Sequence, residues 1–291
     1  MTGSEFTRQL DLLRETLTPI DWPSLYAWAQ GRADIPERCF LLTFDDGLAD
    51  HARNVVPILE DRDLRGVFFV PGRILTSHRM LPAHAVHLLL AAIGEERLLD
   101  ELDDYLKSHG DEARGVDSLD PAAVNSMYHY ETPVRANLKY LLTMALPNDL
   151  RNAAVDTLFE RHVGASARWS RHWYLGWDDL VRMQSRGHTI GGHGFSHEPY
   201  IQLTPSQRDC DVHREAAVLR DGLGVDIRPF SYPFGRHDDA ISAACRAAGF
   251  AHAFTTEQSW VTRDSDTMRL PRVDTINVAQ VLAEEVTCSR S

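Results

Sequence analysis

Four side chains in two short segments have the types and spacing to do chemistry together. The first segment closes an apolar run with Asp45-Asp46-Gly47, two adjacent carboxylates at a point where the chain must turn. Carboxylates that close repel one another unless a cation or cationic side chain lies between them. The plainer alternative is that Asp46 caps the next helix. The second segment, Gly191-Gly192-His193-Gly194-Phe195-Ser196-His197-Glu198-Pro199, places two histidines at i and i+4, a spacing that in one helical turn brings both to one face and one ion. With 14 histidines in 291 residues, about 0.7 such pairs arise by chance, so the spacing alone decides little. Its position after a strand-like run, between Gly and Pro, is the stronger sign. His84 and His87, at i and i+3 with no carboxylate pair nearby, read instead as a surface or core pair.

One aspartate and two neutral histidines make an open-sided, three-ligand site suited to Zn²⁺ or a similar divalent ion, with room for water and a substrate oxygen. Such an ion lowers the pKa of its water toward ~7, and the second aspartate, Asp45, is left as a base. The expected chemistry is hydrolysis of a carbonyl compound, with the ion steadying the oxyanion.

The elements that must position these residues follow from periodicity. Residues 39–44 and Gly66–Val70 read as buried strands, with helical periodicity at 49–62 between them, so a parallel strand-helix-strand unit opens the sheet. Two short helices, broken by Pro19 and Pro23, lead into it. Strand-like runs return at Thr189–Gly192, 228–232, 251–255 and 268–273, alternating with helical stretches at 177–186, Pro205–Leu223 and 239–248. This alternation predicts an α/β fold, a distorted (β/α) barrel with six or seven parallel strands. Catalytic residues in such a barrel lie just past the carboxyl ends of strands, where Asp45, Asp46, His193 and His197 fall. Residues 86–106 and 134–159 are helical and flank an acidic segment at 110–120, so a large helical insertion at about 76–172 is expected within a single domain spanning 1–291.

Composition narrows the function. Hydrophobic residues at 43% and charged residues at 25% are ordinary for a globular chain. A net charge of −12 argues against nucleic acid or an anionic membrane as partner. The longest apolar run is far short of the ~20 residues of a membrane span. Cys39, Cys210, Cys245 and Cys288 form no Cys-x-x-Cys pair. With no basic-then-apolar segment at the start, a reduced, cytoplasmic protein is expected.

The residues resemble the polysaccharide deacetylases, carbohydrate esterase family 4, over 39–74 and 174–275. Thr43-Phe44-Asp45-Asp46-Gly47 matches the first family motif in full, and His193 to His197 is similar to the His-(Ser/Thr)-x-x-His motif, with Gly194 where Ser or Thr is usual. The resemblance implies that Asp45 is the catalytic base and that Asp46, His193 and His197 hold one divalent ion, Zn or else Co, Ni, Fe or Mn. The motif Arg-x-Pro-(Tyr/Phe) is similar to Ser231-Tyr232-Pro233-Phe234, which lacks the arginine that steadies the aspartate. Arg272 is the nearest substitute, either reaching Asp45 or standing as a plain surface residue. The Phe234 N–H is similar in position to an oxyanion donor, and Tyr232, Pro233 and Phe234 are candidates for the acyl pocket. Trp177 either lines the sugar site or anchors a helix start. The family's terminal Leu-x-His has no match, so the general acid is open among His237, His252 and Asp274.

The implied activity is removal of an N-acyl group, most plausibly acetyl, from an amino sugar in a small saccharide or glycoconjugate. An amidase or cyclic imidase acting on a small non-sugar molecule, and a non-catalytic saccharide-binding relative, are the alternatives. The insertion, with Tyr128, Tyr130 and Arg135, is expected to shape the pocket mouth. The oligomeric state is not legible in the sequence.

Overall fold

The structure is a computed structural model that describes residues 1–109, 120–128 and 131–288. The chain divides into two compact units, 1–75 with 173–291, and 76–172. In the first unit the described residues form seven strands, all paired in parallel. A two-stranded pair joins β1 (Thr18–Pro19) to β2 (Cys39–Phe40). The main sheet has the order β3 (Leu42–Phe44), β4 (Gly66–Val70), β5 (Thr189–Gly192), β6 (Pro229–Ser231) and β7 (His252–Phe254).

Alternation along β4 explains how this curled sheet is filled. Val67 and Phe69 pack with Trp22, Leu25, Phe254 and Leu270, so helix Trp22–Ala29 plugs one face. On the other face Phe68 stacks on Phe44 at 4.8 Å. Burial of each such large side chain contributes roughly 1.5–3 kcal/mol.

The structure departs from the sequence reading at definable points. The run 39–44 is two strands, because Thr18 and Ile20 donate backbone hydrogen bonds to Arg38 and Phe40 and draw β2 into a separate pair. Residues 268–273 are not a strand: only Leu270 bridges Phe254, since Pro271 has no N–H to continue a ladder. The sheet therefore has five strands, the other two forming the outlying pair. The helix after β3 opens with a π-helical turn, His51–Val55, before Val56–Glu60.

The second unit is helical. Gly94, at φ 78°, splits the stretch 86–106 into Pro82–Ile93 and Glu95–Ser108. Pro147 likewise precedes Asn148–His162 and divides 134–159. Tyr128 shares a hydrogen bond with the Thr143 hydroxyl (2.9 Å), and Arg135 pairs with Glu95 (2.8 Å), so both are engaged inside this unit. Tyr130 and most of the acidic segment lie outside the described residues. No helix among the described residues is long and apolar enough to cross a membrane.

Candidate metal and active site

The register of the sheet brings the two segments together. Val70 pairs with Gly192 and Gly192 with Phe230, so the carboxyl ends of β4, β5 and β6 lie side by side, with β3 beside β4. Asp45 and Asp46 follow β3, and His193 follows β5. Gly47 makes the exit from β3 possible: it sits at φ 62°, and a Cβ there would lie 2.8 Å from Ile74.

The Asp46 carboxylate turns toward both histidines, with Oδ1 3.2 Å from His193 Nε2 and 3.1 Å from His197 Nε2. Two donors about 2.1 Å from a shared ion at the tetrahedral angle stand about 3.4 Å apart, so this spacing fits one divalent ion. The donor chemistry, one carboxylate and two imidazoles, suits Zn²⁺ and its neighbours. Among the described residues this is the one group of three such side chains placed to hold an ion. His193 Nδ1 donates to the Ser231 carbonyl (2.7 Å), because a carbonyl only accepts; that fixes the tautomer and leaves Nε2 as a lone-pair donor. Burial favours neutral His193, but the facing Asp45 and Asp46 carboxylates outweigh it and raise its pKa.

Asp45 is held differently. Arg272 grips it with both ends of its fork, Nη1 to Oδ1 and Nη2 to Oδ2, each at 2.8 Å. The Ser231 hydroxyl donates to the same carboxylate (3.2 Å) and accepts from Arg272 (3.0 Å). Arg272 is itself anchored through Nε to the Thr255 carbonyl (2.9 Å) and through Nη1 to Thr43 Oγ1 (3.3 Å). Burial would raise the Asp45 pKa; the charges of Arg272 and His193 outweigh it and hold the carboxyl below its usual range. Asp45 is thus an ionised carboxylate 4.0 Å from His193 Nε2, beside the three-residue group.

The other sequence candidates take varied places. Phe234 lies in the short turn Pro233–Gly235, its ring 5.1 Å from that of His197. Tyr232 points into the core, its hydroxyl donating to the Met268 carbonyl (2.9 Å) and in hydrogen-bond contact with the Ser242 hydroxyl (3.1 Å). Trp177 packs on Gly222, where even a Cβ would fall 2.2 Å from its ring, so it anchors the start of helix Trp177–Ser185 against helix Pro205–Leu223. Of the general-acid candidates, His237 stacks on Tyr232, Asp274 caps a turn by accepting from Ile276 N–H, and His252 opens β7 at the amino end.

Ser231, Thr43 and Thr255 as partners of Arg272 escaped the sequence reading, as did two buried acids, Asp211 and Glu215. The acids had a signal: they occupy the buried stripe of helix Pro205–Leu223 with Val212 and Leu219, where apolar residues belong. Burial raises the Glu215 pKa, while the N–H donors of His193 and Gly72, one on each oxygen, favour its ionised form.

Of the five non-glycine residues with left-handed φ among the described residues, three, Asp46 (74°), His197 (57°) and Phe234 (57°), sit at this site. Each such residue costs on the order of 1–2 kcal/mol, and the concentration here is typical of functional sites. Gly194 also has positive φ, and a Cβ would press on Pro233 at 2.9 Å and on the Tyr200 hydroxyl at 3.1 Å.

Comparisons with known proteins show the family and the fold. The family model described as Polysaccharide deacetylase matches residues 32–113 and 145–253, reaching further into the helical insertion than the motifs alone. No curated protein matches the chain by sequence. Among solved structures, the Streptococcus pyogenes deacetylase PplD, in complex with acetate, is 13% identical with a TM-score of 0.58, over 96% of this chain and 85% of that one. IcaB from Ammonifex degensii is 19% identical with a TM-score of 0.57, over 97% and 88%. The BpsB deacetylase domain from Bordetella bronchiseptica is 16% identical with a TM-score of 0.55, over 91% and 82%. At these identities the structures share the fold, a curled parallel sheet with an incomplete barrel.

Proposed function

The chain belongs to the polysaccharide deacetylase family, and from that premise we propose that it removes an N-acyl group, most plausibly acetyl, from an amino sugar in a saccharide or glycoconjugate. The observation that carries this reading is the pairing of an ionised, arginine-held carboxylate, Asp45, with a separate three-ligand group beside it.

Asp46, His193 and His197 would hold one divalent ion, Zn²⁺ or else Co²⁺, Ni²⁺, Fe²⁺ or Mn²⁺. When bound, that ion supplies polarisation of the acyl carbonyl and a water of lowered pKa. Asp45 accepts the proton of the attacking water, a role that requires it ionised at working pH. Arg272 keeps it so and fixes its direction, with Ser231 as a second restraint. The Phe234 N–H, in its left-handed turn beside His197, donates to the carbonyl oxygen as charge develops there. His193, locked by the Ser231 carbonyl, cannot present the wrong nitrogen.

Beside the unmatched terminal Leu-x-His, the motive for a non-catalytic reading is Ser231 in place of the family's arginine. That motive weakens, because Arg272 brings a guanidinium to the same carboxylate from a different segment. The activity test is acetate release from N-acetylglucosamine oligomers and from N-acetylated small amides by protein reconstituted with Zn²⁺ or Co²⁺. Release from the oligomers, abolished by chelator and restored by metal, is the expected result. Release from the small amides alone would replace the saccharide with a non-sugar substrate.

A further inference from the structure

Glu215 is fully buried in helix Pro205–Leu223, four residues after Asp211, and both reach beneath the loop that carries the two histidines. Its two oxygens have separate tasks. Oε1 accepts from the backbone N–H of His193 (2.9 Å), and Oε2 accepts from that of Gly72 (2.7 Å). One carboxyl group therefore ties the chain leaving β5 to the chain leaving β4. Asp211, one helical turn earlier, accepts from the Ser196 N–H (3.0 Å) and from the Tyr200 hydroxyl (2.9 Å). The Arg73 N–H donates to the Phe195 carbonyl (2.9 Å), and the Arg214 guanidinium lies 3.7 Å from the centre of the Phe195 ring.

This clasp answers a local need. Between His193 and His197 the chain takes left-handed φ twice, at Gly194 (73°) and at His197 (57°), a conformation uncommon for any residue but glycine. A loop of that shape is held from outside. Burying a carboxyl group where an apolar side chain would serve the core is costly unless its acceptors are used. Both acceptors of Glu215 are used, and one is used on a residue of the three-ligand group.

We propose that Glu215, seconded by Asp211, is a positioning residue for the metal group, fixing where His193 leaves the sheet and hence its separation from Asp46 and His197. The proposal rests on the metal-dependent reading given above. Outer partners of metal ligands act through ligand orientation, and their loss costs about 10–100-fold in metal affinity.

The test uses the full chain as wild type, Glu215→Gln and Asp211→Asn. Affinities for Zn²⁺ and Co²⁺ come from chelator competition, the visible spectrum of the Co²⁺-loaded protein reports ligand geometry, and thermal unfolding of the metal-free proteins reports stability. Glutamine offers one acceptor and one donor where two acceptors are needed, so one N–H loses its partner. The expected result for Glu215→Gln is about 10–100-fold weaker binding and an altered Co²⁺ spectrum, with a change in the same direction in Asp211→Asn. Wild-type affinity and spectrum in Glu215→Gln, whatever happens to its unfolding temperature, overturn the role. Should Glu215→Gln fail to fold, Asp211→Asn is judged by the same two readouts. A wild type that binds neither ion overturns the metal reading itself, whereas metal binding unchanged by the substitutions overturns the positioning role alone.

Discussion

His193 and His252 are both buried histidines beside strands of the same sheet, and their surroundings make them chemical opposites. His193 follows the carboxyl end of β5, donates to a carbonyl through Nδ1 and turns Nε2 to Asp46. His252 opens β7 at the amino end, with its ring against the edges of Trp22 (5.2 Å) and Tyr26 (5.4 Å), and neither nitrogen has a hydrogen-bond partner. Carboxylates raise the pKa of the first; burial lowers that of the second to about 4. Polar chemistry is gathered at the carboxyl ends of β3 and β5, while the amino end of β7 is closed by aromatic packing. The surroundings at the two ends of the sheet thus set these two histidines apart.

Exchange at the two ends would break or sustain that contrast most forcefully. His193→Ala is expected to lose both the ion and turnover, whereas His252→Phe, which fills the same space between Trp22 and Tyr26, keeps both. Metal analysis and acetate release on the two purified variants check this, and a metal-free His252→Phe would erase the distinction.

The hold on Asp45 gives the next effect. Removing an adjacent opposite charge raises a carboxyl pKa by about 1–3 units. Arg272→Ala is therefore expected to move the acid limb of the kcat profile upward by that amount, because the base is then protonated at higher pH. An unshifted limb with lowered kcat would mean that Arg272 acts only on geometry.

Acid stability sharpens the other half of the contrast. His252 has a folded pKa of about 4 against an ordinary value of 6.5, so between those limits the unfolded chain binds more protons. Stability is full above pH 6.5 and is lost as pH falls toward 4, by up to about 3 kcal/mol at roughly 1.4 kcal/mol per unit. His252→Phe removes that proton site, and urea titrations across the range should show a flatter dependence. A slope equal to that of wild type would place the acid sensitivity elsewhere.

The smallest effect concerns Trp177. Its ring covers Gly222 between two helices, so Trp177→Ala is expected to destabilise by about 0.5–3 kcal/mol while leaving metal content unchanged. A loss of saccharide turnover without a loss of stability would return Trp177 to the substrate site.

How far the sequence reached depends on the range of the interactions involved. Gly66–Val70 and Pro205–Leu223 were legible to the residue: the first is an unbroken apolar run, and the second starts at a Thr204 cap and ends at Gly224. That Asp45, Asp46, His193 and His197 would come together was legible because each pair is compressed into five residues or fewer after a strand. Arg272 was left open between two roles, since its partner lies 227 residues away. The separate pair formed by β1 and β2 was missed for the same reason: two-residue strands carry no period, and only the partner reveals them. Tyr232 was placed at the pocket on its motif, yet β6 turns its hydroxyl to Ser242 and Met268 behind the sheet. Glu215 and Asp211 contradict the apolar pattern of their helix, and that contradiction was the trace of their hydrogen bonds to the loop that carries the two histidines.

The division of labour between the adjacent aspartates is tested most directly by metal content in Asp45→Asn and Asp46→Ala, each beside wild type after reconstitution with Zn²⁺. One ion per chain in wild type and in Asp45→Asn, with turnover in the latter lower by about 10²–10⁴ and no stoichiometric ion in Asp46→Ala, is the expected outcome. Equal metal content in the two variants would contradict the assignment of Asp46 as ligand and Asp45 as base.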